Sequence, residues 1–257
     1  MLNPSPPTGI SSTSPKSVVD FHSSTFARQL SYFEMLLFKS VPISELNYWV
    51  KGEKDEKKCP NLNILTQFVN KVTRWVSSEV VSSSNLKHRQ TIIKHFITIL
   101  QHCYELKNFT GVLEILMGLK HFSITRLKAS WNLPEKYTTI FQQIAPLGVP
   151  ENNWRVLRKH ISDALGTQFG CVPYIGLFLS DLTFIKDGGG GKLENGHIGW
   201  DKNMKLYSTL HTIEALQAGD IVDVQPDPYY QFYFCSELNP LDEPEIIKRS
   251  KSFEPPQ

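Results

Sequence analysis

The sequence predicts an all-α fold, a single helical domain from which a helical hairpin protrudes. Apolar residues recur at helical spacing along most of the chain, whereas the alternation typical of β-strands is confined to residues 231–235. A nearly continuous apolar segment, residues 174–182, is followed by a polar end and a run of glycines. A buried helix that runs into such an end is what a hairpin with one leg in the core requires.

The composition is that of an ordinary globular protein. The chain has 257 residues, of which 40% are hydrophobic and 20% charged, and its net charge is only +2. This balance gives no reason to expect nucleic acid or an anionic membrane as the main partner. No apolar run approaches the ~20 residues that span a bilayer, and the N-terminus lacks the apolar region of a secretory signal. The four cysteines form no C-x-x-C pair, which favours free thiols in the cytoplasm.

The chain divides into two predicted parts. Residues 1–20 are rich in proline and serine and are expected to be disordered, whereas residues 21–257 are expected to form one domain. Amphipathic helices are predicted to begin at Ser24 and at Pro60, where proline removes no helical hydrogen bond. Further helices are predicted near residues 43–49, 88–106, 112–119, 137–144 and 154–165, and again from residue 243.

The hairpin is assigned to residues 174–218. Pro173 suits the first turn of its first leg, which ends near Asp187 at the glycine run. A second helical pattern, the returning leg, begins at about Asp201. A projecting hairpin of this kind is suited to contacting another molecule.

The chain carries no recognisable pattern of catalytic residues. Residues 188–192 resemble a phosphate-binding loop, but the first glycine and the Ser or Thr of that motif are missing. His88, His95 and His102 are seven residues apart, about 10.5 Å along a helix, which is too far for two of them to share a metal ion. The zinc and nucleophile motifs of hydrolases are absent as well. We therefore expect no metal, no cofactor and no covalent catalysis.

Seven segments, taken in order, carry a resemblance to a known family. They read FARQLS at 26–31, CPNL to WV at 59–76, ELKNFTGVL at 105–113, ITRLKASW at 124–131, NWRVLR at 153–158, CVPYIGLFLSDLTFIKDG at 171–188 and SKSFEP at 250–255. Their order and gaps resemble the catalytic domain of Ras-family guanine-nucleotide exchange factors. This is the RasGEF domain, and Son of sevenless is a member of the family.

The resemblance implies a helical bowl that binds a Ras-like small GTPase, of Ras or Rap type, preferentially without nucleotide. It implies an exchange factor that makes no covalent bonds and whose hairpin opens switch I and disturbs the Mg²⁺ and phosphate sites. Thr183 and Asp187 match the residues that act on those sites, Asp187 by pairing with a lysine that otherwise holds phosphate. The other matched positions are GTPase contacts, with the first as the apolar anchor for switch II: Leu113, Lys120, Phe122, Trp154, Arg158, Ser180, Asp181 and Lys205.

Two other functions remain open from the sequence. Gln67, where relatives often carry Arg, and the glycine-rich tip fit an adaptor that binds a Ras-like GTPase without promoting exchange. A helical scaffold unrelated to GTPases fits the composition but leaves the ordered landmarks unexplained. The family's N-terminal helical domain is not expected, because the region before Phe26 is short and polar. The expected location is the cytoplasm, with recruitment to the inner face of the plasma membrane through the GTPase or through other regions.

Overall fold

The computed structural model describes residues 17–165, 167, 170–188, 199–220 and 224–254. These residues form no β-strand, which confirms the all-α prediction. Their α-helices are α1 (Ser23–Lys39), α2 (Ile43–Lys51), α3 (Pro60–Val80), α4 (Leu86–Glu105), α5 (Phe109–Lys120), α6 (Phe122–Thr125), α7 (Glu135–Ile144), α8 (Glu151–Ala164), α9 (Ile175–Asp187), α10 (Trp200–Ala218), α11 (Pro228–Phe232) and α12 (Glu243–Phe253). None of the described helices is both long and apolar enough to cross a membrane.

The N-terminal segment becomes ordered earlier than the sequence indicates. Val18–Asp20 form a short 3₁₀ helix, and Val18 is completely buried. The Glu79 carboxylate accepts hydrogen bonds from the Val18 backbone N–H at 2.9 Å and from the Ser17 hydroxyl at 3.0 Å. The predicted disorder of residues 17–20 is therefore wrong, because this short turn docks on the end of α3. Residues 1–16 lie outside the described residues.

The centre of the domain is built from α1, α3, α4 and α5, which pack against one another. Gly118 allows α5 to approach α3 closely: a Cβ on it would lie 2.6 Å from the Val76 Cβ and 2.7 Å from the Thr73 carbonyl oxygen. The Ser77 hydroxyl donates to the Gly118 carbonyl at 2.8 Å, which ties the same crossing together. Asn108 caps α5, since its side-chain oxygen accepts from the Gly111 N–H at 3.0 Å.

The strand-like alternation at 231–235 belongs to helical structure instead. Helix α11 runs directly into a π-helical turn at Tyr233–Glu237. The aromatic side chains of this segment pack on α1 and the N-terminal turn. Phe234 lies 5.4 Å from Phe26, and Tyr233 lies 4.7 Å from Phe21, between ring centroids. Aromatic packing on several sides of one helix produced the apparent alternation.

Helices α9 and α10 form the predicted hairpin and pack against each other. The first half of α9 lies in the core, where Leu177 and Leu179 are buried. Helix α2 supports α9 from the other side and ends at Gly52, whose φ of 83° is left-handed. At the far end, the Lys202 amine on α10 donates to the Lys186 carbonyl at 2.7 Å. The glycine-rich tip falls in residues 189–198, outside the described part of the chain.

Candidate functional site

A groove of about 590 Å³ lies between α9, α3 and the end of α2. Three of the predicted site residues, Ser180, Thr183 and Asp187, line its hairpin side. They fall on one face because α9 repeats every three to four residues. The groove is also lined by Trp49, Lys54, Thr66, Val69, Asn70, Tyr174, Ile175, Gly176, Leu179 and Phe184. We call this the hairpin groove.

The far end of α9 is free to meet another molecule. Asp187 is exposed and has no hydrogen-bond or ion-pair partner among the described residues. A carboxylate at a helix C-terminus is disfavoured by the helix dipole, so Asp187 contributes nothing to helix stability there. Thr183 is half-buried, and its hydroxyl donates to the Leu179 carbonyl at 2.8 Å within α9. Asp187 is the more available of the two polar groups.

Phe184 lies between Thr183 and Asp187 on α9, and the sequence did not identify it as a site residue. Its side chain is 80% exposed, the most exposed large apolar residue in the described chain. It borders the hairpin groove and also a second groove of about 460 Å³, which includes Lys205 and Met204 of α10. The sequence signal was hidden, because Phe184 belongs to a helix that is apolar on nearly every side.

The wall opposite the hairpin carries the groove's positive charge. The Lys54 amine lies 4.3 Å from the centre of the Trp49 ring, a cation–π contact at the end of α2. Lys54 and Asp187 are the charged residues among those described in the lining. Burial, followed by the nearby Glu114 carboxyl, raises the pKa of Tyr174, so its hydroxyl stays neutral and able to donate. The hairpin groove is therefore mostly apolar, with one charge of each sign.

Arg158 and Asp181 are paired with each other. The Arg158 guanidinium donates to both Asp181 carboxylate oxygens at 2.7 Å, a two-point contact between α8 and α9. The same guanidinium donates to the Asn153 carbonyl at 2.8 Å and to its side-chain oxygen at 3.0 Å. The structure thus joins two residues that the sequence analysis assigned as separate partner contacts.

Helix α8 begins with a left-handed turn. Asn152, Asn153 and Trp154 have φ values of 53°, 55° and 57°, where L-amino acids are strained by roughly 1–2 kcal/mol each. Asparagine tolerates this region better than most residues, but a bulky residue such as tryptophan does not. The turn brings the Trp154 ring to 6.2 Å from the Tyr174 ring at the base of α9. No sequence signal marked this strain, because local rules predict an ordinary helix here.

The remaining predicted residues differ in accessibility. Leu113 is 3% exposed and belongs to the core, so the structure does not place it as a surface anchor; the exposed apolar residue of α5 is Met117. The Lys120 amine donates to the Ala145 carbonyl at 3.1 Å, and burial lowers its pKa. Phe122 is 56% exposed, and Lys205 is exposed on α10. Only part of the predicted set is therefore available on the surface.

No described group of three or more His, Cys, Asp or Glu side chains is arranged to hold a metal ion. All four cysteines are free, and burial raises the pKa of Cys171 to about 12, so its thiol is unreactive at neutral pH. What the described site offers is surface: an apolar groove, an exposed aromatic ring and an unpaired carboxylate.

The model of the RasGEF domain matches residues 25–204. The chain belongs to the RasGEF family. The matched part runs from α1 into α10 and contains every candidate residue except Lys205. Phe184 and the left-handed turn of α8 also lie within it. The hairpin groove is therefore a feature of this RasGEF domain itself.

Relatives of this RasGEF domain carry corresponding names. The chain is 31% identical to "Ras guanine nucleotide exchange factor M" of Dictyostelium discoideum, over 94% of this chain and 26% of the relative. It is 33% identical to factor Y of the same organism, over 92% and 16%. It is 28% identical to mouse "Ras-specific guanine nucleotide-releasing factor 1", over 89% and 18%. The chain thus spans about a quarter or less of the length of these relatives.

Proposed function

We propose that this domain is a guanine-nucleotide exchange factor that promotes GDP release from a Ras-like small GTPase. The observation that carries the proposal is the end of α9, where an unpaired carboxylate and an exposed aromatic ring border an apolar groove in a RasGEF domain. The names of the relatives, which refer to Ras guanine-nucleotide exchange, support the same activity.

Exchange of this kind depends on differential binding. The domain accelerates GDP release because it binds the nucleotide-free GTPase more tightly than the GDP-bound form. By linkage, the factor by which it weakens nucleotide binding equals the factor by which nucleotide weakens its own binding. Such a mechanism needs a surface that holds one switch and a lever that disturbs the nucleotide site. It needs no covalent chemistry.

In the proposed complex, α9 acts as the lever. Asp187 pairs with the GTPase lysine that otherwise holds nucleotide phosphate, and Thr183 displaces switch I and the Mg²⁺ site. Phe184 contributes the apolar surface next to them. Because Asp187 is exposed and unpartnered within the described chain, its carboxylate is free for this contact without breaking an internal bond.

The proposed contact surface continues beyond the lever. Its exposed or half-buried members are Phe122, Trp154, Ser180 and Lys205. Leu113 supports this surface from the core, next to the exposed Met117. Lys120 borders it with its amine engaged by Ala145. Arg158 and Asp181 are paired with each other between α8 and α9.

The test is the release rate of a fluorescent GDP analogue from a panel of Ras and Rap type GTPases. We expect the wild-type domain to accelerate release from at least one GTPase, and Asp187→Asn to lower the rate by about tenfold, or ~1.4 kcal/mol. Asn keeps the shape of the side chain, so the loss reports on its charge. Thr183→Arg should lower the rate further.

Lys87→Ala serves as the matched control, because Lys87 is exposed at the start of α4 and lines neither groove. Its rate should equal that of wild type. Binding without acceleration would instead support the adaptor function. If Asp187→Asn and Thr183→Arg both gave the GDP-release rate of the wild type, the end of α9 would not be the lever.

A further inference from the structure

A side-chain ion pair links α8 to α9 beside a groove. The groove, of about 260 Å³, lies between α8 and the two legs of the hairpin, with Arg158 and Asp181 among its lining residues. The main helix contacts of the hairpin are between α9 and α10, between α9 and α2, and between α10 and α1. The ion pair therefore adds a connection from α8 to the hairpin at this groove.

The hydrogen-bonding capacity of the Arg158 guanidinium is almost fully used inside the domain. The guanidinium has five N–H donors, and four hydrogen bonds from it go to Asn153 and Asp181. Both Asp181 carboxylate oxygens accept from Arg158. The guanidinium therefore serves the domain's own structure, and it fixes the position of the Asp181 carboxylate.

The left-handed turn explains how the same arginine reaches two elements. Asn153 sits in the middle of that turn and presents both its carbonyl and its side-chain oxygen to Arg158. The next residue, Trp154, places its ring beside Tyr174 at the start of α9. The left-handed turn thus contacts α9 at two places. The Trp154–Tyr174 ring contact joins it to the start of α9, and the hydrogen bonds of Arg158 with Asn153 and Asp181 join it to the second turn of α9.

We propose that Arg158 is a positioning residue that fixes the orientation of the hairpin. It joins the strained turn at Asn153 to Asp181 on α9, and it holds α9 at the angle from which the end of the helix reaches the nucleotide site. The expected effect of Arg158 on GDP release rests on the proposed function. Its expected effect on the attachment of the hairpin does not, because that effect can be measured in the isolated domain.

The first experiment measures amide hydrogen–deuterium exchange of peptides from α9 in the isolated domain. Arg158→Ala and Asp181→Ala should each speed exchange of α9 by roughly fivefold, and the double variant should be no faster, because both lose the same bond. Arg158→Lys, which keeps the charge but loses the two-point geometry, should give a smaller increase. Lys159→Ala is the control, because Lys159 pairs with Asp163 within α8 and its loss should leave α9 unchanged.

The second experiment measures GDP release over a range of GTPase·GDP concentrations. The positioning role predicts that Arg158→Ala lowers kcat by roughly fivefold and leaves KM within about twofold. Independent contacts with the GTPase would instead raise KM, and the effects of the two alanine variants would add. That result, or unchanged α9 exchange in Arg158→Ala and Arg158→Lys, would overturn the proposal. If the wild-type domain releases no GDP at all, the proposed function fails while hydrogen exchange still decides the hairpin's attachment.

Discussion

Two glutamates from different helices meet in the interior of the domain and make its stability depend on pH. Glu34 of α1 and Glu114 of α5 are 0% and 1% exposed, and each carboxyl group influences the pKa of the other. Neither Glu114 oxygen has a hydrogen-bond partner among the described residues, and a buried charge without partners is costly, so Glu114 keeps its proton at neutral pH. The Asn108 amide donates to Glu34 at 2.5 Å and orients the pair.

The pKa values of both glutamates are raised in the folded protein. Burial raises the pKa of Glu34 from its ordinary 4.5 to about 7, and burial together with the Glu34 charge raises the pKa of Glu114 well above its ordinary range. The folded protein therefore holds these protons more tightly than the unfolded chain does. Their contribution to stability is complete below pH 4.5, and the Glu34 share is lost as the pH rises through about 7. For Glu34 this is roughly 3 kcal/mol.

Glu34→Gln tests this reasoning directly. Glutamine resembles the protonated acid, so the variant and the wild type should unfold with similar free energies near pH 5. Near pH 8 Glu34 is ionised in the folded wild type, where burial makes the charge unfavourable, so the variant should be more stable by roughly 3 kcal/mol. Denaturant unfolding at several pH values measures the difference. Glu56→Gln, an exposed loop substitution, is the control and should show no such trend.

A free-energy difference between wild type and Glu34→Gln that stays constant from pH 5 to pH 8 would show that the pKa of Glu34 is not raised by folding. A difference of the opposite slope would mean that Glu34 is ionised and paired in the folded state, with a lowered pKa. Glu34→Gln combined with Glu114→Gln should reduce the dependence further, because Glu114 also has a pKa well above its ordinary range.

Two further predictions concern the backbone. The Asn152→Gly variant should be more stable than Asn152→Ala by about 1 kcal/mol, because only glycine enters the left-handed region without cost. Arg155 lies in the right-handed part of α8, so Arg155→Ala should be more stable than Arg155→Gly by a similar ~1 kcal/mol. Thermal denaturation of the four variants checks the reversal of sign, and the same order at both positions would mean that α8 begins with an ordinary turn. Gly118→Ala should cost about 1–3 kcal/mol in denaturant unfolding, since its methyl group would overlap Val76, and an unchanged midpoint would show that α3 and α5 can separate freely.

Most of the helical architecture could be predicted from the sequence. The apolar repeats, the proline that opens α3 and the glycine run after α9 are local signals, so the helices and the hairpin could be read from them. The grouping of Ser180, Thr183 and Asp187 in one groove also follows from helical spacing. The helices could be predicted because each depends on neighbours along the chain.

The rest depends on contacts that spacing does not encode. Glu34 and Glu114 are far apart in sequence, and each reads as an ordinary helical glutamate until α1 and α5 pack together. Arg158 and Asp181 read as two surface charges, because nothing local shows that α8 and α9 meet there. The left-handed turn at Asn152 contradicts local preference and is held by tertiary contacts.

The proposed exchange activity requires that the domain bind a Ras-like GTPase best when the nucleotide site is empty. The most direct measurement is the affinity of the domain for one GTPase prepared without nucleotide and loaded with GDP and Mg²⁺, followed by addition of excess GDP to the complex. We expect tight binding to the nucleotide-free form, much weaker binding to the GDP-bound form, and dissociation by added GDP. Equal affinity for the two forms, with a complex that survives saturating GDP and Mg²⁺, would contradict the proposed exchange activity.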